Sequence, residues 1–162
     1  MTRKDPEYEY ILNKARHFCD YQERCIKEVT DKLNSWKVKK VVMEKVVERL
    51  IKEEFLNEDR FVRLFVTSKF RNFHWGRNKI IHELQKRNIP DLIIQIGLQE
   101  IDDEEYLITL AELLIKKSRE IRSENPLQRK QKLMTFAVGK GYHYEAVRQV
   151  MREHGKELRI SE

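Results

Sequence analysis

Cysteine, proline and glycine are scarce in this chain, with two, three and five residues respectively among 162. Two cysteines cannot build the disulfide framework on which small secreted folds depend. So few prolines and glycines leave too little turn chemistry for the tight reversals of a β-sandwich or barrel. No apolar run approaches the roughly 18 to 20 residues that a membrane-spanning helix needs. The opening stretch MTRKDPEYEY has no apolar segment after its charges, as a secretory leader would. The expectation is a cytoplasmic, all-α protein that keeps its thiols reduced. His17 beside Cys19 and Cys25 suggests a metal site, but a fourth ligand is missing nearby. On one helix the two sulfurs would lie about 9 Å apart at roughly 1.5 Å per residue, too far for a disulfide. Both cysteines are therefore read as structural thiols.

Charge, by contrast, is abundant and segregated. Charged residues make up 37% of the chain, with a formal net charge of +6. From Lys69 to Arg87 the cations Lys69, Arg71, Arg77, Lys79, Lys86 and Arg87 face one acid, Glu83. Glu100 to Glu112 is wholly acidic, and Lys116 to Lys140 is again basic, with Arg129, Lys130, Lys132 and Lys140 among its cations. A merely solvated helix face interleaves both signs, so segregation of this kind suits a polyanion contact. Trp75, Phe70 and Phe73 sit inside the first basic segment. Aromatic rings among cations suit a single-stranded nucleic acid, whose bases stack while its phosphates are neutralised. Trp75 is the candidate stacking residue, although Phe70 and Trp75 fit a core equally well.

Helix punctuation is clear where it occurs. Asn125-Pro126 and Asp5-Pro6 read as caps followed by a proline in the first turn, Pro90 starts another helix, and Gly76, Gly139, Gly141 and Gly155 mark breaks or ends. Between them apolar residues recur at spacings of three and four, giving about nine short helices. Sliding the chain by 51 residues, and again by 53, superposes them. Val29, Leu33, Val38, Val42, Met43, Val47 and Leu50 fall on Ile80, Leu84, Ile89, Ile93, Ile94, Leu98 and Ile101. Those fall in turn on Leu133, Ala137, Tyr142, Ala146, Val147, Met151 and His154. Six of the seven positions are apolar in all three copies. The expected organisation is three tandem three-helix, helix-turn-helix-like repeats over residues 1–54, 55–101 and 102–162, forming an elongated array.

The stretch FLNEDRFVRLFVTSKFRNFHWGRNKIIHELQKRNI combines an acidic turn, an Arg-Phe helix, an aromatic-Gly step and a basic helix. Near the end, KLMTFAVGKGYHYEAVRQVM closes with a helix, a Gly-aromatic turn and a final helix. Order, spacing and threefold repetition together resemble the RecX family of recombination regulators, over roughly residues 10 to 153. The resemblance implies an array of three-helix repeats that binds the RecA monomer and the RecA filament on single-stranded DNA. It further implies modulation, and specifically inhibition, of RecA's ATPase, strand-exchange and coprotease activities in DNA repair and the SOS response. The glycine usual in the turn after each second helix survives as Gly141 in the third copy. It is Asn88 in the middle copy and is replaced around Trp36-Lys37 in the first.

Other chemistry has little support. His82 and Glu83 are adjacent, so on a helix they point about 100° apart and cannot readily share a substrate proton. His74, His143 and His154 match no triad or metal spacing, and no Gly-rich loop follows a strand. No enzyme, cofactor or metal is expected. The helix DLIIQIGLQEI stands where a helix-turn-helix protein would read bases, yet it carries no Arg or Lys. Any DNA contact, to single or double strands, is therefore expected to be weak and independent of sequence. Membrane partners are not expected, and the chain is read as a monomer. The candidate contacts with RecA or nucleic acid are Lys69, Arg71, Arg77, Lys79, Lys86, Arg87, Arg129, Lys130, Lys132 and Lys140. The alternatives are a helical DNA-binding regulator that acts without RecA, or a protein-binding scaffold.

Overall fold

Asp5 and Asn125 act as the sequence expects. Asp5 accepts a hydrogen bond from the Glu7 backbone N–H, and Asn125 accepts from Leu127 and Gln128, each just before a proline that opens a helix. The computed structural model describes residues 5–161; the outermost positions of the first and third expected repeats, 1–4 and 162, lie outside them. Ten helices run through the described residues: α1 (Pro6–Tyr21), α2 (Ile26–Ser35), α3 (Lys40–Lys52), α4 (Glu58–Phe73), α5 (Arg77–Lys86), α6 (Asp91–Leu98), α7 (Asp103–Glu120), α8 (Pro126–Gly139), α9 (Tyr144–Glu153) and α10 (Gly155–Leu158). The additional element beyond the nine expected is the four-residue α10. Helix α6 stops at Leu98, three residues short of the stretch read as its full length.

The repeat register is visible in burial. Val29, Leu33 and Leu50 of the first copy, Ile80, Leu84 and Ile94 of the middle copy, and Leu133, Ala137 and Val147 of the third are all essentially inaccessible to solvent. It is visible again in the turns. Lys37, Asn88 and Gly141, at equivalent positions, all have positive φ, at 59°, 56° and 101°. In each copy the next residue's N–H returns to a carbonyl five residues back: Val38 to Leu33, Ile89 to Leu84 and Tyr142 to Ala137. This is the hydrogen bond that closes an α-helix followed by a single residue in the left-handed conformation. Asparagine and even lysine adopt the conformation in the copies that lack glycine, at a conformational cost that glycine avoids. Leu84→Ala is accordingly expected to cost about 2 to 5 kcal/mol in a urea melt, because Leu84 is fully buried. A loss below about 0.5 kcal/mol would mean the register is misplaced.

The chain divides into two compact units, one of residues 5–65 and 84–97, the other of residues 66–83 and 98–161. In the first, α1 packs on α2 and α3 around Leu12, Ala15, Val29, Leu33, Met43, Val46 and Leu50. Arg16 closes the edge of this core with a two-pronged pair to Glu53, Nη2 lying 2.6 Å from Oε1 and Nε 3.0 Å from Oε2. Together with Arg49, this holds the Glu53 carboxyl below the usual range. Cys19 and Cys25 are free and buried, and burial pushes their thiols up to about 11 and about 12. Both stay protonated at neutral pH.

In the second unit α7 packs against α8, α9 and α10. Its start is capped by Asp102, which accepts from the Glu105 N–H at 2.9 Å. Acidic residues fill its first turn and Lys117 and Arg119 its last, as the helix dipole favours. At its far end Arg129 is fully buried. Its guanidinium donates to the backbone carbonyls of Ser118 (2.9 Å), Ile121 (3.0 Å), Ser123 (3.0 Å) and Leu158 (3.1 Å), and to the Ser118 hydroxyl. Expected from sequence to be a filament contact, Arg129 is instead a structural clamp. Its charge is met by the carbonyl ends of α7 and α10, with no donor or surface left for an outside ligand.

Candidate nucleic-acid interface

Two turns of the second unit meet glycine to glycine. Helix α4 ends at Phe73, and the chain passes through His74, in a left-handed conformation with φ 56°, Trp75 and Gly76 into α5. The facing turn, Lys140-Gly141-Tyr142, joins α8 to α9. The Gly76 N–H donates to the Lys140 carbonyl at 2.7 Å, and the Asn78 N–H to the Gly141 carbonyl at 2.9 Å. The Tyr142 hydroxyl donates to the His74 carbonyl at 2.9 Å, and the Lys140 ammonium to the Phe73 carbonyl at 3.0 Å. A Cβ built on Gly76 would lie 2.2 Å from the Gly141 carbonyl carbon, so only glycine permits this approach.

Beneath the turns the rings of Tyr142, Tyr106 and Phe70 form a buried stack, with centroids 4.9 and 5.8 Å apart. Phe70, which fitted either a binding or a core role, is core, at 3% exposure. Burial pushes the Tyr142 phenol well above its ordinary range, so its proton stays on the hydroxyl that holds the His74 carbonyl.

Above the turns, cations and rings alternate. The Lys69 ammonium lies 4.7 Å from the Phe73 ring centre and 5.0 Å from that of Trp75, and the Lys79 ammonium lies 4.5 Å from Trp75. Lys140 completes the group, its pKa held below the usual lysine range by partial burial and by the like charge of Lys79. His143, at the start of α9, faces Asn78 at 3.3 Å. The structure thus joins Lys69, Trp75 and Lys79 from the first basic segment to Lys140 from the second. Phe73 is half exposed, whereas Trp75 is less accessible and lies between two ammonium groups, so Phe73 presents the more open ring face. The sequence signal for Phe73 was only its place among the cations.

The remaining predicted cations lie elsewhere. Arg77 places its guanidinium 4.2 Å from the Tyr106 ring centre and 2.6 Å from Asp103 Oδ1, a committed internal contact. Arg71 is exposed, 3.9 Å from Glu105. Lys130 and Lys132 are exposed on α8. In the first unit Lys86 is exposed on the last turn of α5, and Arg87 lies 3.7 Å from Glu28 and over the Phe65 ring.

Residues 57–98 match the model of the second three-helix domain of RecX, and residues 103–151 match that of the third. The chain belongs to the RecX family. A protein of Clostridium acetobutylicum named regulatory protein RecX is 27% identical over 154 residues, covering 93% of this chain and 71% of that protein. A Streptococcus uberis protein of the same name is 27% identical over 144 residues, covering 89% of this chain but 55% of its own length. The chain therefore spans little more than half of some relatives. The crystal structure of RecX from Lactobacillus salivarius superposes with a TM-score of 0.84 at 21% identity, covering 92% of this chain and 97% of that one. All the described secondary structure is helical, in keeping with the three-helix domains of the RecX family. No described helix is long and apolar enough to cross a membrane.

Proposed function

We propose that this chain is a non-enzymatic, cytoplasmic regulator of recombination and DNA repair that binds RecA and its filament on single-stranded DNA and inhibits RecA's ATPase, strand-exchange and coprotease activities. The observation that carries the DNA part is the cluster of Lys69, Lys79 and Lys140 around Phe73 and Trp75, fixed by the glycine contact below it. Phosphates can sit on the ammonium groups while a base stacks on the Phe73 face. Membership of the RecX family supports the RecA part.

Binding of a labelled oligothymidylate should weaken with salt, with a log-log slope of about 0.7 for each phosphate neutralised. Lys69→Ala with Lys79→Ala should lower the slope by about 0.7 for each phosphate that no longer meets an ammonium, while Lys45→Ala, exposed on α3, should leave it unchanged. The same protein, added at a small fraction of the RecA concentration to preformed filaments, should slow ATP hydrolysis, and the double variant should slow it less. If the wild-type chain binds single strands yet leaves the ATPase rate unaltered under those conditions, the reading of a DNA-binding regulator independent of RecA takes its place.

A further inference from the structure

Equivalent positions of the first and third copies carry opposite charge. Glu44 and Glu48, on the groove between α2 and α3, fall two repeat steps later on Arg148 and Arg152. In the third copy those arginines and Lys130 rim the groove between α8 and α9, over a floor that includes Met134, Met151 and Ile160. No acidic side chain lines this groove among the described residues. Arg148 has a 3.7 Å contact with Glu145 of its own helix, while Lys130 and Arg152 form no ion pair among the described residues.

The chain itself shows what one of these rim positions accepts. The middle-copy counterpart of Lys130 is Arg77, and Arg77 receives the acidic start of α7. Asp103 pairs with its guanidinium at 2.6 Å, and the hydroxyl of Tyr106, one turn further on, accepts from its backbone N–H at 3.0 Å.

We propose that the groove between α8 and α9 docks an acidic amphipathic helix of a partner protein, with carboxylates on Lys130, Arg148 and Arg152 and apolar side chains on Met134, Met151 and Ile160. The charge of the rim and the apolar floor together favour such a helix. A second copy of this chain is a poor occupant, because the aromatic residues of its own acidic helix starts are already packed internally. Tyr8 packs against the first core, and Phe61 and Tyr106 are buried at 6% and 2% exposure. An apolar floor is also unlike a track for phosphates. This inference does not depend on the Lys69, Lys79 and Lys140 cluster.

The probe is a fluorescein-labelled peptide of sequence IDDEEYLITLAELLI, blocked at both ends, titrated with the full chain and followed by fluorescence anisotropy. Saturable binding is expected, weakened on the order of tenfold or more, or by at least about 1.4 kcal/mol, in the Arg148→Glu, Arg152→Glu double variant. A peptide with the four acidic residues of its first turn changed to lysine should bind that variant better than it binds the wild type. Glu44→Lys with Glu48→Lys, on the first-copy groove, should bind the original peptide as the wild type does. So should Lys69→Ala with Lys79→Ala, which separates this proposal from the DNA-binding reading. The proposal is overturned if no saturable binding is found, or if the arginine reversal has no effect. It is equally overturned if oligothymidylate displaces the peptide competitively, which makes the groove a nucleic-acid site. Self-association in sedimentation that the arginine reversal abolishes would make the occupant a second copy and overturn it too.

Discussion

Arg129→Ala is expected to remove about 3 to 5 kcal/mol of stability, enough to leave a domain of ordinary stability marginal. The side chain is fully buried, so truncation leaves a large cavity. The greater loss is polar: the carbonyls of Ser118, Ile121, Ser123 and Leu158 all lose a donor. Because the Ser118 carbonyl keeps the Ile121 N–H and that of Leu158 keeps the Ser118 hydroxyl, the loss falls chiefly on Ile121 and Ser123. A buried acceptor without a partner costs about 1 to 3 kcal/mol. Water entering the cavity can recover part of this but cannot reproduce a planar fork that reaches the ends of two helices at once. Arg129→Lys keeps the charge but offers one compact ammonium, so it should fall between the alanine variant and the wild type. Urea denaturation followed by circular dichroism gives the comparison. A loss below about 1 kcal/mol for the alanine variant would mean that Arg129 does not clamp these elements.

Gly76→Ala is the second substitution with a large expected effect, and it adds only one methyl group. The new carbon would lie 2.2 Å from the Gly141 carbonyl carbon, 2.4 Å from its oxygen and 2.4 Å from the Tyr142 nitrogen. All three are backbone atoms, so no side-chain rotation relieves the clash. The turns must separate, which breaks the 2.7 Å bond from Gly76 to Lys140 and strains the 2.9 Å bond from Asn78 to Gly141. Overpacking commonly costs about 1 to 3 kcal/mol and each broken hydrogen bond about 1 kcal/mol more, so about 3 kcal/mol is expected. Single-strand affinity should also fall, although no cation is altered, because Lys140 is carried away from Lys79 and the aromatic pair. A variant that melts like the wild type and binds the oligothymidylate equally well would show that these turns do not touch in solution.

Much of this was legible in the sequence, for a local reason. The positions aligned by the 51- and 53-residue shifts are set by helical periodicity, and Leu33, Leu84 and Ala137 are buried in the same register. The left-handed turns were legible through Gly141 and Asn88, and Lys37 only through its alignment with them. Arg129 was misread because composition treats an arginine beside Lys130 as surface charge. The carbonyls that bury it come from residues up to 29 positions away and have no signature of their own. The cations of the first basic segment were likewise counted together, although the acidic stretch that follows supplies Asp103 to Arg77. The candidate site was half legible: Lys69, Trp75 and Lys79 stand together in sequence, but nothing local in Gly76 or Gly141 says that one is the partner of the other.

That pairing also sets the order of events as the chain folds. The hydrogen bond from Tyr142 to His74 spans 68 residues, whereas the turn within each copy closes over five. Short closures form early, and contacts between distant residues wait until the loop between them has been drawn in. A ribosome that has released residues 69–79 has already exposed most of the cationic residues of the cluster, but the turn that fixes them is not yet made. The proposed single-strand surface is therefore completed only after residues 140–142 have emerged, and a chain cut short before Lys140 carries Lys69 and Lys79 without their frame.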